Sequence, residues 1–268
     1  MSKLSEEDFL VLRRPLESRR QFPGSISGAL LIGIFCQVVL LYLEYYISRY
    51  SIYPFAHDIF QLHLWFSIVL GVLSVIYAIP VIYKKFQRIQ YLISIVVSQN
   101  IFALSPLILA LIMIGAEIPL SSQNISLLIY LTYICLFIGL IVFVVTFVRF
   151  IILLQNGAYR IGSKKDQHRR KFETKSYVPY VIVGSTAFVF MLQFVMKNFE
   201  LLSFDVVFFT TLLIIIFFVM LFVLPEQLVI LYCKYRFDSF NFGPNGRHLY
   251  PVKDEHTNIT SNKRINRL

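Results

Sequence analysis

The chain has 268 residues, of which 57% are hydrophobic and only 15% charged, with a mean hydropathy of +0.69. About a quarter of a soluble domain's residues are charged, so this composition excludes an ordinary water-soluble domain and points to an all-α, polytopic integral membrane protein. The net charge of +10 does not imply nucleic acid as a partner, because the Lys and Arg clusters flank apolar blocks without aromatic interleaving or a recognised binding module. They suit orientation signals and attraction to a bilayer with anionic headgroups.

Residues 1–26 read as a cytoplasmic N-terminal segment, in which Phe9-Leu10-Val11-Leu12 precede Arg13, Arg14 and Pro15. Apolar side chains beside basic ones predict a stretch lying flat at the inner interface, its apolar groups in the acyl boundary and its arginines on headgroups. Docking onto a cytoplasmic protein partner is the alternative.

A helix needs about 20 mostly apolar residues to cross about 30 Å of hydrocarbon, and six segments qualify. They fall at 27–47, 59–83, 91–115, 125–154, 177–196 and 204–224, within a transmembrane region spanning 27–233. More than twenty residues precede the first, and no A-x-A-like site follows it, so it reads as an anchor rather than a signal peptide. The turn from Ser48 to Asp58 carries Tyr50, Tyr53 and Phe55, aromatics suited to an interface. Ser105-Pro106 marks a break in the third span.

The longest connection, 155–176, divides the spans three and three, but the halves show no residue-level similarity, so no internal repeat is inferred. Beyond Pro225 the apolar pattern continues to Cys233 and into Lys234, Tyr235 and Arg236, as in a helix leaving lipid. Gly243-Pro244-Asn245-Gly246 then reads as a tight turn. It is not a phosphate loop, since no Lys-Ser or Lys-Thr pair follows and no strand precedes it. Residues 234–268 form a polar cytoplasmic tail.

Cytoplasmic loops keep the excess of Lys and Arg. The N-terminal segment, the second and fourth connections and the tail together hold twenty-two of the 25 basic residues. The opposite connections hold only Arg49 and Lys197, and Arg149 alone lies within a span. This alternation predicts six crossings with both termini in the cytoplasm. The cell membrane is the default location, as no retention or transit signal is evident.

Ionisable residues inside spans are functional candidates, provided that their depth is considered. Glu44 lies one turn before the outer end of span one, and His63 about one turn into span two, so a short loop brings them to similar depth with Asp58 and His57 above. A carboxylate facing an imidazole can exchange a proton or share a cation, which makes Glu44, His63 and Asp58 a candidate outer-face cluster. Snorkelling into headgroups, or a single packing pair, is the structural alternative.

At the inner side Arg149 and Glu226 are level and suit an interhelical ion pair beside Pro225, although Arg149 also suits snorkelling to phosphate. Gln37, Gln99 and Asn100 lie deeper and form a candidate polar path. Their structural alternative is interhelical hydrogen bonding.

Cys36, Cys135 and Cys233 have no paired spacing and read as small buried hydrophobes. No H-E-x-x-H, G-x-S-x-G or Walker lysine is found, so the sequence implies no catalytic centre, metal or cofactor. Asn124-Ile125-Ser126 and Asn258-Ile259-Thr260 match the glycosylation sequon by chance, the first touching a span and the second in the cytoplasm. Short outer loops and basic inner ones lead to the expectation of a membrane subunit or accessory component of a transport or export system. The alternative is a structural, regulatory or protective protein that binds another membrane protein and moves no substrate.

Overall fold

The computed structural model describes residues 4–164, 167 and 202–243. All its regular elements are helical. A 3-10 turn, Glu6–Arg13, runs into α1 (Arg14–Glu17), followed by α2 (Pro23–Ser48), α3 (Ala56–Ala78), α4 (Pro80–Lys85) and α5 (Gln87–Gln99). A π turn, Asn100–Leu104, joins α5 to α6 (Ser105–Glu117), and α7 (Ser122–Gln155) and α8 (Leu202–Arg236) complete the described helices. Five helical stretches are long and apolar enough to cross a membrane: α2, α3, the α5–α6 unit, α7 and α8 from Val206 onward. This marks the chain as a membrane protein. The predicted span at 177–196 lies outside the described residues, as do the tight turn after Gly243 and the rest of the tail.

The third span is the spine of the bundle. Of its apolar window 72% is buried, against 28% for α2 and α3 and 11% for α7 and α8. Helices α2 and α3 pack on one flank, and α8, backed by α7, on the other. This explains why α5 can carry Gln90, Gln99 and neighbouring Asn100 through a lipid-crossing stretch: each faces protein. Gln90 has no exposed surface and donates to Pro23 O at 2.9 Å and Tyr77 O at 3.0 Å, joining three helices.

Two helix ends correct the sequence expectations. Span two stops at Ala78 rather than Tyr83, because Ile79, preceding Pro80, adopts an extended conformation (ψ 126°). The carbonyl groups released there are taken up across helices, Ala78 O by Ser27 Oγ at 2.7 Å and Tyr77 O by Gln90. The last span does not stop near Leu224. α8 passes Pro225 and continues to Arg236, three turns further.

The N-terminal segment departs further from its sequence reading. Phe9, Val11, Leu12 and Leu16 have no exposed surface and join a core with Leu154, Tyr159, Val229, Ile230, Cys233 and Phe240. The segment is folded beneath the bundle against protein, where the sequence reading set its apolar groups in lipid. Val11 N–H donates to Tyr159 O at 3.0 Å, and Asp8 pairs with Arg160 at 2.7 Å. A C-terminal hook, 237–243, closes the same end. Gln87 clamps the backbone of Phe242, donating to its carbonyl at 2.6 Å and accepting from its N–H at 2.9 Å. The buried Lys234 ammonium donates to Phe240 O at 3.0 Å.

Burial pushes the Asp8 carboxyl up, but hydrogen bonds from Arg160 and from the backbone and hydroxyl of Ser5 outweigh it, and its pKa is lowered from the ordinary value of 3.8. A carboxylate with a lowered folded-state value stabilises above its unfolded value and loses that contribution as pH falls through the folded one. Amide protection factors in residues 6–17, corrected for the intrinsic exchange rate at each pH, are therefore expected to fall below about pH 3.8. In the Asp8→Asn variant that pH step should be absent.

Small residues let spans approach closely. At Gly139 on α7 an added Cβ would lie 2.8 Å from Leu221 and 3.1 Å from Phe217 of α8. Gly139→Val is expected to destabilise the α7–α8 contact by about 1–3 kcal/mol, as overpacking does, read as a lower melting temperature in detergent.

Candidate functional site

The helices α2, α3 and the π turn enclose a polar cluster within the apolar bundle. Glu44 of α2 has no exposed surface, and His63 of α3 is 3% exposed. The short Arg49–Phe55 connection makes α2 and α3 antiparallel neighbours, which sets the two residues level. Its tip is fastened to α6, Ile52 N–H donating to Gly115 O at 2.8 Å. Gly115 is required there, because a Cβ would come within 3.0 Å of the Tyr53 backbone nitrogen.

Glu44 Oε2 lies 2.7 Å from His63 Nδ1, and the other ring nitrogen, Nε2, lies 3.0 Å from Asn100 Oδ1. Asn100 Nδ2 donates to Ser67 Oγ at 3.1 Å. The hydroxyls of Ser67 and Ser105 flank Nε2 at 3.4 and 3.5 Å. All five side chains are buried.

The π turn aims Asn100. Pro106 has no N–H and its ring crowds the carbonyl of residue 102, which disfavours a regular α-helical turn there. The chain widens by one residue instead, with Ser105 N–H donating to Asn100 O across a π turn. Such bulges recur at functional sites. The break expected at Ser105-Pro106 is thus a continuous span with one widened turn.

This geometry constrains the protons. With Oδ1 of Asn100 facing it, Nε2 carries a hydrogen. A single proton then lies between Nδ1 and Oε2, giving either a carboxylate with an imidazolium or a carboxylic acid with an imidazole. Both states are neutral as a pair, which is what a low-dielectric interior favours. Glu44 Oε1 makes no hydrogen bond within the described contacts. The order Ser–His–Glu resembles a hydrolase triad in type. Asn100, however, is closer to Nε2 than either serine, and Ser105 has no exposed surface for a substrate to reach. The cluster can hold and pass a proton. It does not present a nucleophile.

Of the residues singled out from sequence, Glu44 and His63 meet, and Asp58 does not join them, being exposed at the start of α3. Five residues at about 100° each put it roughly 140° around the helix from His63. Gln37, Gln99 and Asn100 do not line one path. Asn100 faces His63, whereas Gln99 turns to α8, donating to Met220 O and Gln227 Oε1, both at 3.3 Å. Gln37, two turns from Glu44 on α2, is buried with an amide nitrogen that has no partner among the described residues. Arg149 and Glu226 line one cavity of about 180 Å³ with Phe150, Tyr159 and Pro225, and no ion pair joins them among the described residues.

Ser67 was not singled out from sequence, although its spacing of four from His63 places it on the same helical face. No group of three or more His, Cys, Asp or Glu side chains converges on a metal site among the described residues. The three cysteines are free, Cys135 and Cys233 buried and Cys36 partly so. Compared with protein-family models, curated proteins and solved structures, the chain matches none, so the chemistry of the site rests on Glu44, His63 and Asn100 themselves.

Proposed function

We propose that the protein is a cell-membrane component with six spans and both termini in the cytoplasm, serving as a membrane subunit or accessory protein of a transport or export system. In this reading the Glu44–His63–Asn100 cluster is its proton-holding element. The observation that carries it is Glu44, a carboxyl group with no exposed surface, inside a membrane-crossing helix, hydrogen-bonded to an imidazole at 2.7 Å. Ionisable groups are expensive at such positions and mark proton relays and coupling sites in membrane proteins. The six-span count and the orientation are supported by the alternation of basic residues along the chain, with 177–196 supplying the remaining crossing.

Two experiments test this. In intact cells an impermeant thiol reagent should label a cysteine at Ser122 but not one at Ser261, in a background lacking the native cysteines. Equal labelling of both would refute the topology. In liposomes containing a pH-sensitive dye, an imposed membrane potential should drive proton uptake by the wild-type protein and much less by Glu44→Gln. Identical traces for wild type, variant and empty liposomes would remove the proton role.

One observation favours the non-transporting alternative. Along α7, Tyr130, Tyr133 and Phe137 are each about two-thirds exposed at helical spacing, an aromatic stripe that another membrane protein would cover. Loss of a partner on substituting these three, with Gln37, Gln99, Asn100 and Arg149 all tolerant of change, would select it.

A further inference from the structure

The geometry points to an anionic phospholipid site on α7, with Arg149 as its headgroup anchor. The site is independent of the proton-holding role of Glu44. α7 has 34 residues, about 51 Å at 1.5 Å per residue, against about 30 Å of hydrocarbon. Centred on the bilayer, it leaves the hydrocarbon about ten residues either side of Ile138–Gly139, near Leu128 at one end and Arg149 at the other. The exposed Tyr130, about 13 Å from the midplane, agrees with this register, lying near where interfacial aromatics sit. Arg149 therefore stands at the depth of lipid phosphates, at the end of the bundle closed by the N-terminal segment.

Its surroundings select the ligand. Arg149 is exposed and has no hydrogen bond, ion pair or ring contact among the described residues. Running from it along α7 are Val144, Val145, Val148 and Ile152, 47%, 58%, 50% and 50% exposed, which form an open apolar helix face with Arg149 at its edge. A bare guanidinium next to an exposed apolar helix face matches a phosphate diester carrying acyl chains: the planar fork binds two phosphate oxygens, and the chains follow the valines. Glu226 lines the cavity on the other side of Arg149. Its carboxylate disfavours a free, multiply charged phosphate and leaves a singly charged diester approaching from lipid.

Delipidated protein in detergent, titrated with phosphatidylglycerol or phosphatidylcholine and read by native mass spectrometry, tests the site. The wild-type protein should retain phosphatidylglycerol about tenfold or more tightly than phosphatidylcholine, the effect of roughly one charge-assisted contact. Arg149→Gln should lose this preference with an unchanged Trp65 fluorescence melt. If Arg149→Gln does not fold, Ile152→Glu keeps Arg149 and places a competing carboxylate one turn away, and it should lose the preference as well. An undiminished preference in whichever variant folds would overturn the site. Displacement of phosphatidylglycerol by an equimolar amount of inorganic phosphate would also overturn it, by showing a free-phosphate site instead.

Discussion

Replacing Glu44 with alanine is expected to destabilise the bundle by about 3–5 kcal/mol, the loss seen when one partner of a buried charged pair is removed. His63 would keep its bond to Asn100 but would lose the one side chain described within hydrogen-bonding distance of Nδ1. Glu44→Gln is a different experiment. With the hydrogen of a neutral imidazole on Nε2, Nδ1 can still accept from the Gln amide nitrogen, so the loss should fall to about 1–2 kcal/mol, the difference between a charged and a neutral hydrogen bond. The readout is thermal unfolding followed by the single tryptophan, Trp65, which lies two residues from His63 on α3. Equal stability of wild type and Glu44→Ala would mean that the pair contributes nothing to the fold. A small stability loss in Glu44→Gln together with abolished proton uptake would separate the proton role from the structural one.

Phe9→Ala should remove about 3–5 kcal/mol of local stability, as expected for a large aromatic deleted from a core. The Phe9 ring is fully buried, 5.8 Å from Phe237 and 6.4 Å from Tyr232. The segment is short and closes one end of the bundle, so the expected result is detachment of residues 6–17 rather than global unfolding. Hydrogen exchange should rise there and over the 237–243 hook, where Ser239 donates to Glu6, while α2 and α3 stay protected. Interfacial anchoring makes the opposite forecast. If Phe9 contacted lipid, the effect would change with bilayer composition, whereas a protein contact gives the same result in detergent and in vesicles.

Much of the architecture was legible in the sequence because transfer into lipid is nearly additive along a chain. Uninterrupted apolar runs therefore locate the spans without reference to neighbours. Where a run is also set by local backbone chemistry, hydropathy misplaces its end, as at Ile79-Pro80, which is apolar throughout but cannot remain helical. The depth of Glu44 and His63 was readable too, since a short connection and 1.5 Å per residue are enough to level them. The inward face of Phe9 was not readable. An apolar run beside arginines has the same pattern whether its apolar side meets acyl chains or the ends of α7 and α8.

By itself, the sequence determined that this chain belongs in a membrane, where five helices long and apolar enough to cross it run, and which ionisable residues are placed within them. Only the tertiary structure decided partners. It set Asn100, 37 residues from His63, against the imidazole, turned Gln99 towards α8, left Asp58 exposed, and drew the N-terminal segment under the bundle. The reason is rotational: hydropathy records how deep each residue lies but is almost blind to how each helix is turned about its axis. That turn is set by contacts such as Gly33 packed against Val97 and Ile101, Gly139 against Phe217, and the widened turn before Pro106.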